Sequence, residues 1–182
     1  MLNTMQRALT VALLCVTCYL LLTACSQRAA IHVDVEKVNP WTHLDLNNDP
    51  RNFQFVIVSD RTGGERAGVF PEGIQKTNLL QPQFVMSVGD LIEGYTEDIS
   101  QLDREWDEFD GFVKQLEMPF FYLAGNHDYS NPVMAEVWKQ RYGRTYYHFT
   151  HQDVLFLCLN SEPAWIGGDY ADQLAYIDWV IQ

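Results

Sequence analysis

Phe120-Phe121-Tyr122-Leu123-Ala124-Gly125-Asn126-His127-Asp128 is the stretch from which the fold is read. A short apolar run bounded by glycine predicts a buried β-strand. Gly125 then lets the backbone turn, and Asn126, His127 and Asp128 emerge at the strand's carboxyl end. Open α/β sheets bind their ligands at that end.

Two earlier stretches repeat the design. Phe53-Gln54-Phe55-Val56-Ile57-Val58-Ser59 runs into Asp60, and Phe84-Val85-Met86-Ser87-Val88-Gly89 runs into Asp90. If the strands lie side by side, Asp60, Asp90, Asn126 and His127 converge on one sheet edge. Oxygen and imidazole donors of this kind suit hard or borderline divalent cations. Taken singly, Asp60 and Asp90 also read as ordinary turn residues.

The ordered set Asp60, Gly89-Asp90 and Gly125-Asn126-His127-Asp128 resembles the calcineurin-like metallophosphoesterase superfamily, from Phe53 to the end of the chain. The resemblance implies a sandwich of mixed β-sheets flanked by helices. It also implies two divalent metal ions (Mn, Fe or Zn) about 4 Å apart and hydrolysis of phosphate mono- or diesters. In that family Asp60 would bind the first metal, Asp90 would bridge both and Asn126 would bind the second. His127 would act at the leaving group and Asp128 would orient its neighbours. Arg61 reads either as a contact to substrate phosphate or as a solvated cation, and Arg66 likewise. Two places depart from the family pattern. Thr62 stands where the first block usually has a histidine, and no Gly-His-x-His follows Asp128. The expectation is therefore that these 182 residues are the first part of a longer protein, the C-terminal part of the sandwich missing. The parallel sheet would then expose an apolar face. The alternative is an envelope lipoprotein that keeps the fold as an inactive binding module.

The formal net charge of -12 argues against nonspecific nucleic-acid binding, which needs a basic surface. A phosphorylated substrate stays compatible with it, because bound cations reverse the sign locally. The first residues read as a targeting segment. Arg7 precedes an apolar run from Ala8 to Thr23, and Leu22-Thr23-Ala24-Cys25 resembles the lipobox of bacterial lipoproteins. Cleavage before Cys25 would leave that thiol lipidated. An ordinary signal peptide or a membrane anchor are the other readings. Ser26 after the cysteine resembles the outer-membrane signal of Gram-negative lipoproteins, so the expected location is the cell envelope, lipid-anchored, and in a Gram-negative cell the periplasmic face of the outer membrane. Cys158, in an apolar run, reads as a buried structural thiol. No P-loop, dinucleotide fingerprint or nucleophile elbow is present.

The expected organisation is a signal peptide over 1–24, a tether over 25–50 with a surface segment around Trp41 to Leu46, and one α/β domain over 51–182. Helices are predicted over Phe70 to Leu80, Asp98 to Leu116 and Pro132 to Tyr142. A last one is marked by Leu174, Ile177 and Ile181. In the second helix Leu102, Trp106, Phe109, Val113 and Leu116 form the apolar stripe. Asp103, Arg104, Glu105, Asp107 and Glu108 read as a solvated face. Thr145 to Ser161 predicts a hairpin turning at His151-Gln152-Asp153, with His148 and His151 on its exposed side.

Overall fold

The computed structural model describes residues 31–46, 53–162 and 170–182. Cys25 and the apolar leader lie outside the described residues, as do positions 26–30 and 47–50 of the expected tether. The elements follow the predicted order. Strand β1 (Phe55–Val58) leads to helix α1 (Val69–Leu80), then to strand β2 (Phe84–Ser87) and helix α2 (Ile99–Val113). Strand β3 (Phe120–Phe121) is followed by helix α3 (Pro132–Tyr142) and by the hairpin β4 (Tyr147–His151) and β5 (Val154–Cys158). Helix α4 (Tyr170–Val180) closes the described chain.

Strands β1, β2 and β3 form a parallel sheet in that order, with Val56 beside Val85 and Val85 beside Phe120. Strands β4 and β5 pair antiparallel. Period-two alternation sorts the side chains of the parallel sheet between two cores. Val85, Phe120 and Tyr122 face Leu102, Trp106, Phe109 and Val113 of α2 and Val137, Trp138 and Tyr142 of α3. Phe84, Met86, Phe121 and Leu123 face Tyr147, Phe149, Phe156 and Cys158 of the hairpin. Helix α4 lies against the hairpin's other side, where Tyr176 Oη is 2.6 Å from His148 Nδ1. The result is a mixed α/β sandwich of helices, parallel sheet, antiparallel hairpin and helix.

Helix ends follow their capping chemistry. Asp98 caps α2 by accepting from the Ser100 and Gln101 N–H groups, and Asn131 caps α3 from Met134 N with Pro132 in the first turn. Four expectations are corrected. His151 is fully buried, because it shares parity with Tyr147 and Phe149, and it packs on Phe53 and Phe84. His148 is half-buried under α4 rather than exposed. The charged face of α2 is largely engaged: Asp103 and Asp107 pair with Arg141, Glu108 with Arg61, and Glu105 accepts the Gly94 N–H. Finally, the apolar face of the parallel sheet is covered at β2 and β3 by the hairpin and by Trp41, which bridges Phe121. Among the described residues of this sheet's strands, the exposed large apolar side chains are Phe55 and Ile57 on the β1 edge.

Two further features depart from simple pattern reading. Residues 31–46 pack into the same unit as the sheet, and Trp41 is buried. In α4 the buried residue is Gln173, while Leu174 is exposed, as is Ile181 just past the helix. The Gln173 amide accepts from Asn160 N and donates to Asn160 O, both at 2.9 Å, so a polar clamp docks this helix.

Candidate functional site

The three strand-end blocks meet at the carboxyl edge of the parallel sheet. Asp60 N–H donates to Gly89 O at 3.2 Å, and Arg61 N–H donates to Asp90 O at 3.0 Å. Asp90 in turn accepts the His127 N–H on Oδ1 at 3.1 Å. Asp60 and Asp90 both hold left-handed backbone, φ 49° and 58°. Such conformations are sparsely used by non-glycine residues and cluster at functional sites.

The approach of the second and third blocks is so close that only glycine fits. A β-carbon on Gly89 would stand 2.4 Å from the Gly125 backbone, and one on Gly125 would stand 2.4 Å from Asp90 Oδ1. The two glycines therefore let Asp90 slide beneath the Gly125–Asp128 turn.

Asp128 fastens this arrangement from below. Its carboxylate is fully buried and accepts from Leu91 N at 2.8 Å, Ile92 N at 3.1 Å and Gly125 N at 2.9 Å. Burial pushes its pKa up to about 7, against the downward pull of those three N–H groups. Asp90 adds a smaller upward push through charge repulsion.

His127 donates from Nδ1 to the Glu93 carbonyl at 2.7 Å, since a carbonyl oxygen can only accept. Nε2 is thereby the ring nitrogen that this contact leaves free. It faces Gly63, where a β-carbon would lie 3.6 Å away. The Asn126 Nδ2 donates to the Tyr95 hydroxyl at 2.5 Å. That leaves its Oδ1 unengaged among the described residues.

Other sequence candidates stand elsewhere. Thr62 is buried and donates to the Asp90 carbonyl at 3.2 Å, so it supports the turn. The Arg61 guanidinium is buried, donates to Leu91 O, pairs with Glu65 and Glu108, and lies over the Phe112 ring. Arg66 lines a cavity of about 300 Å³ together with Asp60, whose carboxylate takes a hydrogen bond from Ser59. Asn126 opens on a different cavity, of about 560 Å³, lined also by Tyr95, Ser130, Asn131 and Glu162.

A family model for the calcineurin-like phosphoesterases matches residues 54–178. The chain belongs to the calcineurin-like phosphoesterase family. No curated protein and no solved structure matches it. Members of this family typically bind divalent metals. Among the described residues, no group of three or more His, Cys, Asp or Glu forms a metal cluster. The hard donors at the sheet edge are two carboxylates, Asp60 and Asp90, and the amide oxygen of Asn126. That donor chemistry fits a divalent cation, though sparsely. Sequence reading gave no role to Glu93, Gly94 and Tyr95, which surround the Asn126–His127 turn, and placed Glu105, which holds Gly94 N–H, on a solvated face. The available signal was Gly94, a loop glycine five positions after Gly89 and directly before an aromatic residue.

Proposed function

We propose that this phosphoesterase-family chain contributes the nucleus of a metal-dependent hydrolase of phosphate mono- or diesters. The observation that carries the reading is the hydrogen-bonded convergence of three strand ends, with Asp90 joined to both the Asp60 and His127 blocks. Asp60, Asp90 and Asn126 would hold two divalent ions. When bound, these would supply an acidified water and positive charge against the phosphoryl oxygens. His127 would hold a proton on Nε2 for the leaving oxygen, its ring fixed by the Glu93 carbonyl. Asp128 would keep the two loops in register through its three N–H bonds. The lipobox supports anchoring through Cys25 at the cell envelope, on the periplasmic face of the outer membrane.

The test is Mn²⁺ and Zn²⁺ calorimetry with hydrolysis of p-nitrophenyl phosphate and its bis ester, in the native protein and in Asp90→Asn. Metal binding and turnover in the first, with loss of turnover at unchanged secondary structure in the second, are expected. Equal turnover in the variant would remove Asp90 from the chemistry. Radiolabelled palmitate incorporation, lost in Cys25→Ala, checks the anchor.

A second reading, an inactive binding module, draws on Thr62. Its hydroxyl supports the Asp90 turn where a ligand would be needed. Native protein that binds no divalent cation and releases no phenolate would favour it.

A further inference from the structure

Four successive residues in the loop after β2 are each tied to a different partner. The Glu93 carbonyl accepts from His127 Nδ1, and the Gly94 N–H donates to Glu105 Oε2 at 2.9 Å. The Tyr95 hydroxyl accepts from Asn126 Nδ2, and the Thr96 carbonyl accepts from Asn131 Nδ2 at 3.1 Å. Gly94 and Tyr95 are both left-handed, with φ 59° and 48°. The loop is pressed so closely onto its neighbour that a β-carbon on Gly94 would stand 1.7 Å from the His127 carbonyl oxygen.

Core packing does not account for Tyr95. The residue is 59% exposed, yet its backbone holds a conformation that costs a non-glycine residue about 1–2 kcal/mol. What the conformation achieves is contact with the candidate site. The ring meets the His127 imidazole edge-on at 4.6 Å, and the hydroxyl reaches Asn126.

We propose that Tyr95 is a positioning residue whose hydroxyl, by accepting the Asn126 Nδ2 hydrogen, leaves the amide oxygen as the atom offered to a divalent cation. An amide has one end able to bind a cation and one end that cannot. With the Nδ2 end held at the phenol, the oxygen is the end turned away from Tyr95, and without the hydroxyl the side chain loses that hold. The Glu105 contact to Gly94 N–H keeps the loop, and with it the phenol, in place. The role rests on the phosphoesterase reading given above.

The test compares the native protein with Tyr95→Phe, which keeps the ring and removes the acceptor. Mn²⁺ affinity is read by calorimetry, and the Asn126 side-chain amide by ¹⁵N NMR in chelator-treated protein. The expected result is Mn²⁺ affinity about tenfold or more weaker in the variant, the range for partners that orient a ligand. A shifted Asn126 Nδ2 signal and an unchanged urea midpoint should accompany it. Equal Mn²⁺ affinity in the two proteins overturns the positioning role while leaving the phosphoesterase reading intact. An unmoved Asn126 signal overturns it even where the variant is less stable. A native protein that binds no Mn²⁺ removes the phosphoesterase reading, and the positioning role falls with it.

Discussion

His127 Nδ1 lies 2.7 Å from the carbonyl oxygen of Glu93, and this contact assigns the tautomer of the ring. The backbone of the preceding loop thus decides which nitrogen of a downstream histidine is available for proton transfer.

His127→Ala should therefore lower turnover of an aryl phosphate on the order of 10²-fold or more, as expected for a lost general acid. Mn²⁺ affinity should stay near native, since Asp60, Asp90 and Asn126 are untouched. Parallel loss of metal and rate in calorimetry and steady-state assays would instead make His127 a ligand.

Asp128 links folding to pH. In the unfolded chain its carboxyl titrates near 3.8, and in the fold burial raises it to about 7. Folding then takes up a proton between those values, so stability present at low pH is lost as pH rises through about 7. In chelator-treated protein, urea midpoints from pH 5 to 8 should fall with pH. Asp128→Asn should flatten that slope and lower stability by about 1–3 kcal/mol, because one of the three N–H groups loses its acceptor. Identical slopes would remove Asp128 as the cause.

Asp110 is a stability residue of α2. It accepts from both Tyr122 Oη and Tyr142 Oη at 2.9 Å, and burial with the adjacent carboxylate raises both phenols' pKa values. Asp110→Ala would orphan two largely buried hydroxyls and should cost about 2–4 kcal/mol. Adding Tyr122→Phe and Tyr142→Phe should recover much of that loss in denaturant titrations, since no orphaned hydroxyl then remains.

Cys158 is buried in the hairpin core, and burial pushes its thiol up to about 12. It should resist Ellman's reagent at pH 8 in the native protein and react in full once the chain is unfolded in urea. Rapid native labelling would show that the β4–β5 hairpin opens.

Apolar strands ending in Asp60, Gly89-Asp90 and Gly125-Asn126-His127-Asp128 were legible because a buried strand needs only a local apolar run and a turn needs only its glycine. Helices α2 and α3 were legible for the same local reason, apolar spacing and a side-chain cap. The engagement of Asp103, Asp107 and Glu108 was not, since their partners Arg141 and Arg61 lie far away in the chain. His151 was misplaced although its parity with Tyr147 and Phe149 stands in the sequence, because polarity was weighed above register.

By itself, then, the sequence determined the α/β order of elements, the family and the polar residues at three strand ends. The elements and the strand-end residues depend on neighbours within a turn or two, and the family on the order of three such local blocks along the chain. Only the tertiary structure decided that Asp90 sits beneath the His127 turn, that Arg61 is spent on Glu108, and that Tyr95 reaches Asn126. Those pairings join residues about 30 to 50 positions apart. Their formation depends on how parallel strands align and how closely two glycines let their loops approach, which no local pattern encodes.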